Sequence, residues 1–393
     1  MATSFKTFLN NDVTNTKTLL HELIPITGTI VSGTYTDKKD DERNIKNYAH
    51  GMFQSVYDYP YLSSSANHIF DISAGYANSS VLSSSTNSQN SKKINVYTQM
   101  AQLLSGYDKD GNIRDFDEDG DFASGGTKMK EVFFLNFSRL LVKDEIKKGA
   151  FSVTLGVDGG SASFGAGGGG SNFTNTITIS DDGAQDDYRV NSPAGEYGIL
   201  YANGTNVNDN ATSSAKSGFA PCGLLYYQAG VAVISSSVFL DMDSTAISGD
   251  GADGGKGILD ADGVATPLFP YRATSQIPDA NFTAVLTGST VKNLASGVRN
   301  RIQNVQFNNT TELNSTIYFC RANHNEFNYS SNPTYLSNSK LVTKNESTDN
   351  PVSYVTTVGL YSADNELLAV AKLSEPIKKE PSTEVTFRVR LDY

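Results

Sequence analysis

The chain has no tryptophan, two cysteines and four histidines among its 393 residues, and each shortage removes a class of function. Because the histidines are scattered and stand at no Cys/His ligand spacing, no zinc-site pattern is present. Enzymes that cleave polysaccharides with paired carboxylates generally hold the sugar on tryptophan. The acidic pairs at 181–182 and 186–187 are therefore interpreted as solvated surface, and no catalytic residue is predicted.

Positive charge is also scarce. The chain carries 31 Lys and Arg against 42 Asp and Glu, a net charge of −11. Phosphate recognition needs clustered basic residues, and the lysine pairs at 38–39, 92–93 and 147–148 are isolated among acids. The sequence has no run of about 18 apolar residues that would be long enough to span a membrane. Its first residues lack the apolar core of a signal peptide. We expect no nucleic-acid partner, no membrane insertion and synthesis in the cytoplasm.

The two cysteines, Cys222 and Cys320, lie in apolar, strand-like runs. In a reducing compartment such residues act as small buried hydrophobes. A disulfide between them would require proximity in space, which the sequence leaves open.

Short apolar runs separated by turn residues dominate what is present. They predict a mainly β chain with β-sandwich-like domains, one or two short helices and long polar loops. The helices are expected at 92–105 and 290–303, where apolar residues recur at helical spacing. Composition shifts suggest three domains: an aromatic-rich N-terminal domain at 1–157, a Gly/Asp/Asn-rich inserted domain at 158–265, and a C-terminal domain at 266–393.

The C-terminal 41 residues carry the clearest β pattern. Apolar runs at 355–360 and 367–372 flank a polar turn at 362–365 and predict a hairpin. Val385, Phe387, Val389 and Leu391 then alternate with polar residues, which predicts a strand with one buried face.

An acidic turn at 115–120 matches the first half of a calcium loop, with Asp115, Asp117 and Asp119 at positions one, three and five. Position twelve should be a bidentate glutamate but is Gly126. The turn is therefore either a Ca²⁺ site built on these aspartates or, as we favour, an acid-rich turn without an ion. No other cofactor is expected.

Aromatic residues concentrate between 44 and 61, where Tyr57, Tyr59 and Tyr61 end the run. An aromatic ring with a polar tip suits a surface that packs against another chain. These three tyrosines are the predicted interface in the N-terminal part of the chain.

The sequences of several segments resemble those of known phage proteins. VGLY at 358–361 and ELLAVA at 366–371 resemble a β-module of baseplate and tail-fibre-attachment proteins of tailed bacteriophages. TLLHELIPITG at 18–28, GMFQSVYDYPYLSSS at 51–65 and FFLNFSRLLVKDEIKKG at 133–149 resemble virion structural proteins of contractile-tailed phages that infect marine cyanobacteria. The resemblance covers about 1–157 and 300–393, and it is least evident in the middle of the chain.

The resemblance implies a non-enzymatic structural component of a virion, in the baseplate or at a tail attachment point. Its expected partners are copies of itself and other tail, baseplate or neck proteins, with assembly in the host cytoplasm. Tyr361, in the C-terminal module, joins the predicted interface residues. The alternative is a phage adhesin that binds carbohydrate through the segment 158–265.

Overall fold

A computed structural model describes residues 5–33, 43–84, 89–122, 127–156, 176–203, 220–239, 286–330, 336–337, 340–341, 346 and 348–393. The chain forms two compact units. The smaller contains Met1–Leu20 and Glu312–Tyr393, and the larger contains His21–Thr311.

Among the described residues, three strands have 13 or more residues, two helices have 15 and 11 residues, and the other elements are shorter. The strands are β1 (Val13–Thr27), β2 (Ile45–Asn47), β3 (Gln54–Tyr57), β4 (His68–Tyr76), β5 (Phe116–Asp117), β6 (Lys128–Met129), β7 (Glu131–Phe137), β8 (Glu145–Ile146), β9 (Ser152–Gly156), β10 (Thr176–Ser180), β11 (Arg189–Ser192), β12 (Gly195–Asn203), β13 (Ala220–Tyr226), β14 (Val231–Ser235), β15 (Ile302–Ala322), β16 (Leu336–Ser337), β17 (Lys340–Leu341), β18 (Ser353–Tyr361), β19 (Leu367–Lys379) and β20 (Val385–Asp392). The helices are α1 (Gly28–Ser32), α2 (Asn90–Leu104), α3 (Arg139–Val142) and α4 (Val291–Arg301).

One large antiparallel sheet organises the larger unit. Its strand order is β15-β9-β10-β12-β13-β14-β7-β4-β3-β2, with β1 beside β15. The prediction of a mainly β chain with few short helices is confirmed. Both predicted helices are present as α2 and α4, and Thr290 Oγ1 caps α4 by accepting a hydrogen bond from the Asn293 amide at 3.2 Å.

Both faces of this sheet are buried. Along β7, Phe133, Leu135 and Phe137 belong to one apolar cluster, to which α4 contributes Leu294 and Val298. On the opposite face of β7, Val132 and Phe134 belong to a second cluster, to which α2 contributes Val96, Tyr97, Ala101 and Leu104. The alternation follows from the two-residue period of a strand. The result is a sheet held between two helices.

The predicted division at about 157 and 265 does not coincide with the two units. In the described parts of the segment 158–265, strands β10, β12, β13 and β14 lie in the middle of the large sheet, where β10 pairs with β9 and β14 pairs with β7. The Gly/Asp-rich stretches that suggested a separate domain lie outside the described residues. The described strands on either side of the predicted boundary at 157, β9 and β10, pair within one sheet.

The N-terminal strand contains a proline and leads directly into a helix. Pro25 lies inside β1, which an outermost strand tolerates because one row of its amides needs no partner. Helix α1 follows, and it ends at Gly33 in the left-handed region with φ 98°. A glycine at that position permits the turn.

The C-terminal hairpin and final strand are confirmed. β18 and β19 pair antiparallel, with Val358 opposite Ala371. β20 pairs along β15 from Ser315 opposite Asp392 to Ala322 opposite Val385. In β20 the apolar positions are buried or half-buried and the polar positions are exposed, as the alternation predicted. The thiols of Cys222 and Cys320 are free, the first buried and the second half-buried.

Helix α2 carries a buried lysine. The Lys93 side chain is fully buried, and its Nζ donates hydrogen bonds to the carbonyl oxygens of Leu286 and Thr287, the latter at 2.8 Å. The amino group also lies 5.7 Å from the Tyr76 ring centroid. Burial lowers the pKa of Lys93 from 10.5 to about 8, because the charged form loses hydration.

This pKa predicts a pH dependence of stability. Between pH 8 and 10.5 the unfolded chain holds the Lys93 proton and the native chain has lost it. Stability therefore rises with pH across this window, at up to about 1.4 kcal/mol per pH unit, and is flat below it as far as Lys93 is concerned. Urea unfolding of the wild type and of Lys93→Met at each pH gives the free energy of unfolding of both proteins. Because the other titrating groups are common to both, their contribution cancels in the difference. If this difference in free energy did not change with pH, the lowered pKa of the buried Lys93 would be contradicted.

Candidate functional site

The predicted interface tyrosines lie at the end of the large sheet formed by β2, β3 and β4. These strands and their loops supply a group of side chains that we call the aromatic surface. It consists of Lys46, Tyr48, His50, Phe53, Tyr57, Tyr61 and His68. β2 is the outer strand of this end. The strands bring together residues that are up to 22 positions apart in the sequence, from 46 to 68.

The rings of the aromatic surface form a connected set. Tyr48 stacks on His50 at 5.1 Å between centroids, and Phe53 lies 4.8 Å from Tyr48. Tyr57 packs 6.3 Å from Tyr61 and meets His68 edge-on at 5.4 Å. Lys46 joins the two groups, because its Nζ lies 4.8 Å from the Tyr48 ring and 5.9 Å from the Tyr61 ring. Contacts of a cation with aromatic faces hold such rings in place.

A carboxylate supports these rings from the strands below. Asp71 Oδ1 accepts hydrogen bonds from Ser55 Oγ at 2.5 Å and contacts His68 Nε2 at 2.8 Å. In a hydrolytic triad the imidazole stands between the serine and the carboxylate. Here the carboxylate stands between the other two, and Ser55 is buried. The cluster therefore orients His68 instead of activating a nucleophile.

The three predicted tyrosines have different environments. Tyr57 and Tyr61 are half-buried within the aromatic surface, whereas Tyr59 has 50% of its surface exposed. Burial, followed by a hydrogen bond with Tyr48, raises the pKa of Tyr57 to about 12. The loop that carries Tyr59 and Tyr61 is braced by Asp58, whose Oδ1 accepts from the Asn67 amide at 2.6 Å. Their role as an interface stays a prediction.

In the smaller unit, Tyr361 belongs to an exposed apolar group near the turn of the hairpin. We call this group the tip surface. It consists of Tyr361 (45% exposed), Leu367 (53%), Leu368 (67%) and Val370 (50%). Tyr361 packs against Phe5 at 4.9 Å between centroids. Its ring also covers Gly359, where an added methyl group would lie 2.9 Å from Tyr361 Cε2.

The acidic turn differs from its sequence reading in one member. Carboxylate oxygens of Asp117, Asp119 and Asp121 lie within 4.8 Å of one another. Asp115 is engaged elsewhere, since its Oδ2 accepts a hydrogen bond from Ser79 Oγ at 2.8 Å. The difference arises because the turn begins where β5 ends, at Asp117, and the residues that follow are the ones that converge.

Asp117 is the buried member of this group. Its Oδ2 is ion-paired with Lys128 Nζ, and its Oδ1 is a buried atom without a hydrogen-bond partner. Burial raises the pKa of Asp117 to about 6, and the neighbouring Asp119 adds to this while Lys128 opposes it. Asp119 and Asp121 are exposed.

Sequence reasoning missed several buried charged residues. Asp181, read as solvated surface, is buried and accepts hydrogen bonds from the amides of Gly149 and Phe151 at 2.7 and 2.9 Å. Arg299 and Arg301 in α4 are buried, and Arg301 Nη1 donates to Gly156 O at 2.8 Å. No local pattern marks these residues, because their partners lie far away in the sequence.

Comparison with known proteins yields no assignment. No protein-family model, curated protein or solved structure matches this chain. Among the helices of the described residues, none combines the length and the apolar character required to cross a membrane. The expectations about function in the first subsection stay predictions.

Proposed function

We propose that the protein is a non-enzymatic structural component of a tailed-phage virion, in the baseplate or at a tail attachment point. It acts by assembly, packing against copies of itself and against other tail, baseplate or neck proteins. The virion in turn is assembled in the host cytoplasm.

The observation that carries the assembly role is the exposed hairpin of the smaller unit. In the described part of the chain, β18 and β19 form a two-stranded sheet of their own. A two-stranded sheet is marginally stable in water unless a third strand or a packed layer covers it. The exposed apolar side chains of the tip surface are typical of surfaces that bind another protein. A partner chain supplies the missing cover.

Placement in a phage tail rests on the sequence resemblance, and the structure is consistent with it in one respect. The hairpin contains both segments, 358–361 and 366–371, that resemble a β-module of baseplate and tail-fibre-attachment proteins. The aromatic surface offers a second contact area, in the larger unit. The alternative, a carbohydrate-binding adhesin that uses 158–265, has less support, because four of the five described strands of that segment, β10, β12, β13 and β14, are interior strands of the large sheet.

The test is quantitative mass spectrometry of density-purified particles with heads and tails separated. We expect the wild-type protein in the tail fraction, with the copy number per particle of a component that has sixfold symmetry. Particles made with Tyr57→Ala, Tyr59→Ala and Tyr61→Ala combined should contain at least about tenfold less of the protein, since tyrosines that an interface covers frequently carry much of its binding energy. The control combines Tyr107→Ala with Tyr329→Ala, which removes two exposed tyrosines outside the aromatic surface.

Three results would count against the proposal. Absence of the protein from all particles would end the structural role. Recovery with heads would move it to the neck or capsid. Normal particles from a folded triple variant would exclude the aromatic surface as an interface.

A further inference from the structure

The turn between β5 and β6 concentrates oxygen ligands at one point. Asp117, Asp119 and Asp121 alternate with Glu118 and Gly120, and an oxygen of each carboxylate lies within 4.8 Å of the others. Two of the three residues face solvent, so an ion could reach the group directly.

A second observation points to a ligand at this group. Asp117 is fully buried, yet its Oδ1 has no hydrogen-bond partner, although Lys128 contacts its Oδ2. Leaving a buried charged oxygen without a partner is costly. Among the described residues, the other buried side-chain oxygen in this state is an amide oxygen, Asn44 Oδ1. A cation bound to the three aspartates would satisfy Asp117 Oδ1.

We propose that Asp117, Asp119 and Asp121 bind a calcium ion. Ca²⁺ binds oxygen ligands at about 2.4 Å, so two ligands on one ion stand at most about 4.8 Å apart. The observed oxygen separations satisfy this limit. Carboxylates are the hard oxygen donors that Ca²⁺ takes, and water completes its coordination. Mg²⁺ demands a tighter octahedron and Zn²⁺ favours nitrogen and sulfur ligands.

The larger unit holds this turn in shape. Gly120 has φ 69°, and an added methyl group there would lie 3.3 Å from Ile199 Cγ1. Gly120 O accepts a hydrogen bond from Tyr197 OH at 2.8 Å, and the Asp121 amide donates to Asp119 Oδ1 at 3.2 Å. A turn fixed in this way loses little conformational freedom when an ion binds. The site is independent of the proposed virion role.

Calorimetric titration of the metal-free full chain with CaCl₂ tests the proposal. We expect a dissociation constant between micromolar and millimolar, a rise in unfolding temperature with Ca²⁺, and weaker binding of Mg²⁺. Asp119→Asn combined with Asp121→Asn should weaken Ca²⁺ binding by about tenfold or more, since affinity depends on ligand charge. Both residues are exposed, so the variant should fold.

Two further variants sharpen the assignment. Asp115→Asn is the matched control and should bind Ca²⁺ as the wild type does, because Asp115 is bound to Ser79. Lys128→Met removes a positive charge beside Asp117 and should tighten binding. The proposal is overturned if millimolar CaCl₂ produces neither heat nor a thermal shift, if the double variant binds like the wild type, or if Asp115→Asn weakens binding equally.

Discussion

Introducing two charges into the tip surface, as Leu368→Asp with Val370→Asp, is expected to abolish incorporation of the protein into particles while the isolated chain still folds. Leu368 and Val370 are 67% and 50% exposed, so the free protein should lose less than about 0.5 kcal/mol for each substitution. In an assembled interface each apolar side chain contributes about 1 kcal/mol by burial. Burying a carboxylate in its place costs several kcal/mol more. The lost burial and the buried carboxylate together cost about 4 kcal/mol of binding free energy, which weakens association about a thousandfold.

The matched control places the same charges on polar positions of the same hairpin. Thr356 and Ser374 are both exposed, so Thr356→Asp with Ser374→Asp adds equal charge without touching the tip surface. Particle yield, infectivity and the amount of protein in purified tails compare the two variants. If the control fails equally, charge rather than apolar contact is responsible. If the tip variant assembles normally, the hairpin is not a docking surface.

Gly75→Ala is expected to be the most destabilising of the small substitutions considered. Gly75 lies in β4 under helix α2, and an added methyl group would lie 2.7 Å from Lys93 O and 2.9 Å from Tyr97 N. Both atoms are backbone and cannot rotate away. Helix α2 would have to move off the sheet and expose part of its apolar cluster. Overpacking of this kind costs about 3 kcal/mol, and Gly75→Val should prevent folding.

Urea unfolding of the full chain measures this loss against two glycine controls. At Gly288 an added methyl group meets nothing within 4 Å, so Gly288→Ala should be neutral. Gly111 also has open space around it but has φ 85°, so Gly111→Ala should cost about 1 kcal/mol from backbone strain alone. A loss at Gly75 no larger than that at Gly111 would show that α2 is free to shift.

Local patterns predicted the elements whose neighbours are close in the sequence. The hairpin of β18 and β19, the alternation in β20 and the helices α2 and α4 all follow from period and turn chemistry. The large sheet did not follow, because its registers join distant segments, such as Ile302 with Leu155. Glycine-rich stretches suggested domain boundaries, whereas strand pairing across them decides which residues form one unit.

The candidate sites show the same limit. The aromatic concentration indicated Tyr57 and Tyr61, but Lys46 and His68 join them only through strand pairing. The calcium-loop spacing selected Asp115 with Asp117 and Asp119, since that motif presupposes a loop between two helices. In this chain the turn follows a short strand, and Asp121 converges in place of Asp115. Spacing located the turn, and geometry changed its members.

The pairing of β1 with β15 has a consequence for synthesis of the chain. Within the larger unit, the Glu22 amide donates to Asn309 Oδ1 at 3.2 Å, a contact between residues 287 positions apart. At ribosomal rates of about 5–20 residues per second, roughly 15–60 s pass between translation of one strand and the other. During that interval the first strand has an open edge that can capture other chains. Slower ribosomes or crowded polysomes lengthen this exposure, and the yield of native protein should depend on how well the host shields nascent chains.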